Sequence, residues 1–94
     1  MLPKSKDKDF LFETILSLKN LDNCYALFED LCTIKEVEAM AGRLQAAQML
    51  IDGKTYEQVI QATNISSATL SRVSKCVHYG AGGYQEFLSK TNEK

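Results

Sequence analysis

A run of small polar and basic side chains between Ser67 and Lys75 offers the clearest chemistry in the sequence. On a helix, these residues would form an outer face slim enough to enter the major groove of DNA. Hydroxyl groups there can bond base edges or bridging water, while cations can hold phosphates or a guanine. We therefore expect this segment to read double-stranded DNA, through Ser67, Ala68, Thr69, Ser71, Arg72 and Lys75.

The surrounding segment, from Thr55 to Lys75, has the pattern of a helix, a tight turn and a second helix. Asn64 falls where the chain must turn, and asparagine tolerates the left-handed conformation that such turns use. Either Ser66 or Ser67 can cap the second helix. The pattern predicts a helix-turn-helix over about residues 55–77. The same geometry also occurs as a scaffold in helical modules that bind a protein partner and not DNA. The apolar side chains that would set the angle between the two helices are Val59, Ile65 and Leu70.

Charge is unevenly distributed along the chain, although the net charge is only −1. Residues 9–52 contain eight acids and three bases, whereas residues 58–85 contain no acid but include Arg72, Lys75 and the titratable His78. Because phosphate attraction is local at physiological ionic strength, one basic face suffices for DNA binding. The alternative interpretation is a solvated helix face that lacks acids.

We expect the first helix of the helix-turn-helix to bind DNA phosphates only weakly, because it carries Glu57, Gln58 and Gln61 and no basic residue at these positions. An N-terminal arm, residues 1–8, could compensate by reaching the DNA backbone through its lysines. The other interpretation of this arm is a flexible, solubilising tail. The lysines concerned are Lys4, Lys6 and Lys8.

Apolar residues recur at helical spacing, and the sequence has one proline and five glycines, which predicts an all-α fold of about six helices. We expect a single helical domain over residues 9–90, followed by a C-terminal tail over residues 91–94. The first helix should run from about Asp9 to Lys19, and Asp22 can cap the second. A short last helix should dock on the core through Tyr84, Phe87 and Leu88.

Thr33 and Glu36 form the sequence pattern of a capping box, which predicts the start of a third helix of about eighteen residues. Gly53 is placed to end that helix. The apolar residues of this third helix cover more than one of its faces, and the two short helices before it cannot bury them all. We therefore expect a homodimer with this helix at its centre. The main stripe consists of Val37, Met40, Leu44, Ala47 and Ile51, and it continues sideways through Ala41, Ala46 and Leu50.

Other classes of protein find little support in the sequence. His78 has no acid or nucleophile arranged around it, so we expect no enzyme activity. Cys24, Cys32 and Cys76 have no metal-ligand spacing, which favours reduced thiols, a cytoplasmic protein and no metal. No apolar run is long enough to span a membrane, and the polar N-terminus has no signal core.

Three features taken together resemble the bacterial Trp repressor family. These are Thr33 with Glu36 and the later Gly-Arg43, Asp-Gly53, and the Ser-Ser-Ala-Thr-Leu-Ser-Arg run that ends at Arg72. The branch typified by YerC and YecD matches best, because of the Tyr-Gly-Ala-Gly-Gly-Tyr stretch that ends at Tyr84. The resemblance covers about residues 10–90. It implies an intertwined, six-helix homodimer that acts as a transcription regulator, a repressor, on a palindromic operator.

The resemblance also implies a pocket for a small-molecule effector, because the family repressor holds its tryptophan corepressor with two threonines and two arginines. The matching positions are Thr33, Arg43, Thr69 and Arg72. Val73, however, stands where the repressor has glycine, and its bulk argues against L-tryptophan. We expect a different effector or none, with no other cofactor. Arg43 and Arg72 could alternatively form a structural or phosphate-binding pair.

Overall fold

The computed structural model describes residues 2–88, and these residues form six α-helices and no strand. The predicted all-α, six-helix architecture is confirmed. The proposed tail, residues 91–94, and the end of the predicted domain lie outside the described residues. No helix among residues 2–88 is long and apolar enough to cross a membrane. The helices are α1 (Lys6–Leu16), α2 (Leu21–Leu31), α3 (Ile34–Ile51), α4 (Tyr56–Thr63), α5 (Ser67–Tyr79) and α6 (Gly83–Phe87).

The chain divides into two compact units, an N-terminal unit up to Val37 and a C-terminal unit from Glu38. In the N-terminal unit, α1 begins three residues before the predicted Asp9, because the Ser5 hydroxyl accepts a hydrogen bond from the Lys8 N–H at 3.2 Å. The predicted arm of residues 1–8 therefore overlaps the first turn of α1.

Asn20 is the N-terminal cap of α2, so the prediction that Asp22 caps this helix is wrong. The Asn20 side-chain oxygen accepts a hydrogen bond from the Asn23 N–H at 2.8 Å, and Asp22 lies inside the first turn. An acid at that position still favours the helix, because the N-terminal end of a helix carries a partial positive charge.

No residue of α1 or α2 is buried, although both helices carry large apolar side chains. Phe10, Leu16 and Tyr25 are each more than 70% exposed, with Leu16 reaching 82%. A helix pair of this kind buries too little apolar surface to be stable by itself, since most helical stability in proteins comes from tertiary packing.

The third helix has the predicted start, length and end. At its start the Thr33 N–H donates to the Glu36 carboxylate at 2.8 Å, and the Glu36 N–H donates to the Thr33 hydroxyl at 3.1 Å. These bonds to Thr33 hold the pKa of Glu36 below its ordinary value. Gly53 ends the helix with a φ of 88°, a left-handed conformation that favours glycine.

The C-terminal unit contains the core. Only part of the predicted α3 stripe contributes to it, since Met40 and Leu44 remain exposed, Leu44 at 51%. Ala47 of the predicted stripe and Ala46 of its predicted extension are buried in the core, together with residues of α4 and α5. The fully buried apolar residues are Ala46, Ala47, Val59, Leu70, Val73 and Val77.

The last helix docks on this core through Tyr84 and Leu88, which are partly buried against it. Phe87 does not dock, contrary to the prediction, and is 80% exposed. The Gln85 amide fixes α6 to α5, because its Nε2 donates to the Val77 carbonyl at 2.9 Å. That bond and the Gly82 turn, with a φ of 97°, place Tyr84 beside α5.

Candidate nucleic-acid interface and ligand cavity

The helix-turn-helix begins with a second capping box. The Gln58 N–H donates to the Thr55 hydroxyl at 3.2 Å, and the Thr55 N–H donates to the Gln58 side-chain oxygen at 2.9 Å. Asn64 adopts the predicted left-handed conformation, with a φ of 59°, and its N–H closes α4 on the Ile60 carbonyl at 2.8 Å. Three residues, 64–66, therefore suffice to turn the chain into α5.

Ile65 anchors this turn, as predicted, because it packs against the core of the C-terminal unit. Gly42 of α3 lies directly beneath it. A Cβ added at Gly42 would lie 3.2 Å from the Ile65 Cγ2, closer than ordinary van der Waals contact. Glycine at position 42 thus lets the turn rest on α3 and fixes where α5 starts.

Ser66 is the cap of α5, which decides between the two predicted candidates, Ser66 and Ser67. Its hydroxyl oxygen accepts from the Thr69 N–H at 3.1 Å and also lies 2.9 Å from the Thr69 hydroxyl oxygen, at hydrogen-bond distance. Ser67 is left exposed in the first turn of the helix.

The fifth helix has three faces, because successive side chains are rotated by about 100° around a helix. One face packs in the core and includes the polar Ser74, which is buried and which the sequence did not single out. A second face lines a cavity through Thr69, Arg72 and Cys76. The third face points outward and is exposed; it consists of Ser67, Ala68, Ser71 and Lys75 and is called the outward face below.

The predicted DNA-reading residues are therefore divided between two faces. Four of the six form the outward face, where small side chains leave the helix slim. Thr69 and Arg72 instead line the cavity, although Arg72 is also exposed and lies at the border with the outward face. Lys75 is the cation that points outward without contributing to the cavity wall.

The cavity has a volume of about 430 Å³ and receives walls from three helices. It brings together three of the four residues predicted for an effector pocket, Arg43 from α3 with Thr69 and Arg72 from α5. The fourth, Thr33, belongs to the N-terminal unit, where its hydroxyl caps α3. The full lining is Arg43, Thr69, Arg72, Val73, Cys76 and Tyr84.

Tyr84 is a cavity residue that the sequence did not reveal, since its apolar spacing predicts only a place in the core. The glycine-rich stretch before it is plain in the sequence, but the position of α6 against α5 depends on contacts far apart in the chain. Val73 lies in the wall as expected and is only 2% exposed. Its methyl groups therefore occupy space at the cavity that a glycine would leave open.

The cavity is positively charged. Its lining includes two arginines, Arg43 and Arg72, and no acidic residue. Within residues 38–88, neither Arg43 nor Arg72 has an ion pair or a side-chain hydrogen bond. Two guanidinium groups thus face one space without a compensating anion from residues 38–88.

A short helix, a three-residue turn and an exposed second helix are consistent with a helix-turn-helix, and a ligand-sized cavity lies behind the second helix. The chain belongs to the Trp repressor protein family, whose model matches residues 6–92. It is 46% identical over 90 residues to the uncharacterized protein YerC of Bacillus subtilis (strain 168), covering 96% of this chain and 86% of that protein. The predicted branch of the family is therefore confirmed.

Two solved structures have the same fold. A TrpR-like protein from Eubacterium eligens ATCC 27750 is 40% identical and superposes with a TM-score of 0.86, covering 93% of this chain and 96% of the other. A Trp repressor-type protein from Staphylococcus aureus is 38% identical with a TM-score of 0.85, covering 88% of this chain and 83% of the other.

Proposed function

We propose that the protein is a homodimeric transcription regulator that binds a palindromic DNA operator through the outward face of α5. One observation carries the proposal: an exposed, acid-free and slim helix face is held by a fully capped helix-turn-helix. The groove-reading residues are Ser67, Ala68 and Ser71, and Lys75 contacts phosphate. Membership in the Trp repressor family supports this assignment.

The exposed apolar side chains support the homodimer. Leu16, Leu21 and Ile34 are each at least 75% exposed, and Leu44 of α3 is half exposed. Large apolar side chains that are this exposed in a single chain are available for burial against a partner. A second copy of the chain would cover these residues, and a twofold dimer would present two α5 helices to the half-sites of a palindrome.

The cavity behind α5 is proposed to hold an effector. Its position supports this, because Thr69 and Arg72 share a helix with the outward face. L-tryptophan does not fit the proposal, since the Val73 methyl groups take up part of the space. Repression is the proposed mode of action, by analogy with the family.

The test measures binding of genomic DNA fragments by fluorescence anisotropy between about 50 and 200 mM salt. Lys75→Ala should weaken binding to all fragments and lower the slope of log affinity against log salt concentration by about two. The dimer loses one phosphate contact from each subunit, and each contact contributes about 0.9 to the slope. Lys19→Ala is the matched control, because it removes one exposed lysine from the N-terminal unit and should leave binding unchanged.

One result would reject the regulator: every fragment binds wild-type protein equally weakly, with no fragment selected. That outcome would favour the alternative, a helical interaction module in which the helix-turn-helix is only a scaffold. The exposed apolar surface of the N-terminal unit would then be its docking surface for a protein partner.

A further inference from the structure

We propose that His78, next to Lys75, binds a backbone phosphate of DNA at the C-terminal end of α5, and that this contact makes DNA binding stronger at low pH. The inference deepens the proposed function and rests on it, because it adds a contact and a proton dependence to the same helix. Phosphate contacts carry no sequence information, so this contact can be tested on any duplex that the protein binds.

Helical geometry places His78 on the same side of α5 as the outward face. At about 100° per residue, His78 lies about 20° around the helix axis from both Ser67 and Ser71, and about 60° from Lys75. The His78 side chain is exposed. Residues three apart on a helix are neighbours, with their Cβ atoms about 5–6 Å apart. His78 therefore continues the outward face by one turn, beside its lysine.

The chemistry of this side of α5 changes along the helix. Its first two turns carry Ser67, Ala68 and Ser71, which are small and neutral, whereas the two basic residues follow in the later turns. A recognition helix meets base edges through its N-terminal residues. The longer basic side chains beyond them are thus placed to reach the sugar-phosphate backbone, whose charge dominates affinity for DNA.

The imidazole of His78 has no acidic partner within residues 38–88. It forms no ion pair or side-chain hydrogen bond there, and its ring contact is with Tyr79, whose ring centroid lies 6.2 Å away. Because no acid is bonded to the imidazole, a phosphate would be its first anionic partner. The charged side chains on α5 and on the helices of this unit that surround it are Arg72 and Lys75 of α5, Glu38 and Arg43 of α3, Glu57 of α4 and Glu86 of α6.

A phosphate beside His78 would favour the protonated imidazole, since an opposite charge favours the charged form of a titratable group. Lys75, a like charge one turn away, opposes protonation until the phosphate neutralises it. Proton binding and DNA binding therefore strengthen each other by the same factor. Histidine side chains change their charge between about pH 5 and 8, so affinity for DNA should rise as the pH falls through that range.

A purely structural role for His78 makes a different prediction. A cation in the last turn of a helix interacts favourably with the negative end of the helix dipole. That role would raise the melting temperature of the free protein at low pH and would add no phosphate contact. Two variants at this exposed position separate the roles: His78→Lys carries a positive charge at every pH used, and His78→Gln is polar but never charged.

The experiment measures the affinity of full-length protein for the genomic fragments and for a random-sequence duplex, by fluorescence anisotropy at about pH 5.5 and about pH 8 over a series of salt concentrations. The chain has one histidine, so either variant removes its only imidazole. We expect wild type to bind about 2-fold to 30-fold more tightly at the lower pH, because a dimer gains two exposed ion pairs. The slope of log affinity against log salt concentration should also become steeper, by up to about two.

His78→Gln should lose both differences between the two pH values, whereas His78→Lys should show the steeper slope at both. Lys19→Ala, the control in the N-terminal unit, should keep the wild-type pH dependence. The proposal is overturned, and the regulator stands, if wild type and His78→Gln share one pH profile on a selected fragment. It is also overturned if His78 changes the melting temperature with pH but leaves the salt slope unchanged.

The random-sequence duplex separates this proposal from the proposed function. If no genomic fragment is selected but the random duplex binds with a pH dependence that His78→Gln abolishes, the regulator is rejected and the phosphate contact stands. If wild type binds no duplex at either pH, both are rejected.

Discussion

The two units of this chain differ in what stabilises them. The C-terminal unit has a buried core built from α3, α4 and α5, and its helix-turn-helix rests on that core through Ile65. In the N-terminal unit, α1 and α2 have hydrogen-bonded caps but no buried residue. Caps satisfy backbone groups at a helix end and contribute only about 1 kcal/mol each. The N-terminal helices therefore leave apolar side chains that a partner, such as a second copy of the chain, would cover.

The largest expected loss of stability comes from a substitution in the core of the C-terminal unit. Leu70 is 0% exposed, so Leu70→Ala removes buried methyl groups and leaves a cavity. We expect the free energy of unfolding to fall by about 2–5 kcal/mol, measured by denaturant titration. Leu70→Met, which conserves volume, should cost less than about 1.5 kcal/mol. Equal, small losses for both variants would show that this unit does not depend on its core.

The next largest expected effect is on dimerisation and comes from a substitution in the N-terminal unit. Leu16 is 82% exposed in a single chain, so a glutamate there would cost little if the protein were a monomer. Buried at a dimer interface, the unpaired charge would oppose association. We expect Leu16→Glu to shift micromolar protein from dimer to monomer in sedimentation velocity and to weaken dimerisation at least about tenfold, a change of about 1.4 kcal/mol.

The control for that experiment is Leu2→Glu, the same change at an exposed residue before α1, which should remain dimeric. A wild-type protein that sediments as a stable folded monomer would contradict both the dimer and the view that the N-terminal helices need a cover. The exposed apolar side chains of α1 and α2 would then need a different partner.

The parts of the fold that could be predicted from sequence are those whose chemistry is local. Thr33 with Glu36 identifies the start of α3 because both halves of the capping box lie within four residues. Asn64 is predictable at the turn because few residues tolerate its backbone conformation. The start of α2 is ambiguous in sequence because Asn20 and Asp22 are both good caps, and neither has the glutamate or glutamine three residues later that would distinguish them.

The candidate site was predictable only in part, for a related reason. The two arginines and Thr69 follow from the family resemblance, and the structure brings them to one cavity. The place of Tyr84 and the exposure of Phe87 do not follow from sequence, because a five-residue helix is oriented by distant contacts such as the Gln85 bond to Val77. The division of α5 into a cavity face and an outward face also needed the packing, since helical spacing alone does not say which face meets α3.

The smallest expected effect on stability is at Glu36, which lies in the first turn of α3, just before the C-terminal unit begins at Glu38. Its pKa is lowered from 4.5 by the hydrogen bonds to Thr33. A carboxylate whose pKa is lowered in the folded state stabilises the protein at a pH above its unfolded-state pKa, and that contribution disappears as the pH falls through its folded-state pKa.

Glu36→Gln keeps an oxygen that can accept from the Thr33 N–H but does not titrate. We therefore expect wild-type protein to lose more thermal stability than the variant between pH 6 and pH 3, with similar melting temperatures at the acidic end. Glu38→Gln, which removes a neighbouring carboxylate outside the capping box, should follow wild type. Parallel pH profiles of the melting temperature for wild type and Glu36→Gln would mean that the charge of Glu36 contributes nothing to pH-dependent stability.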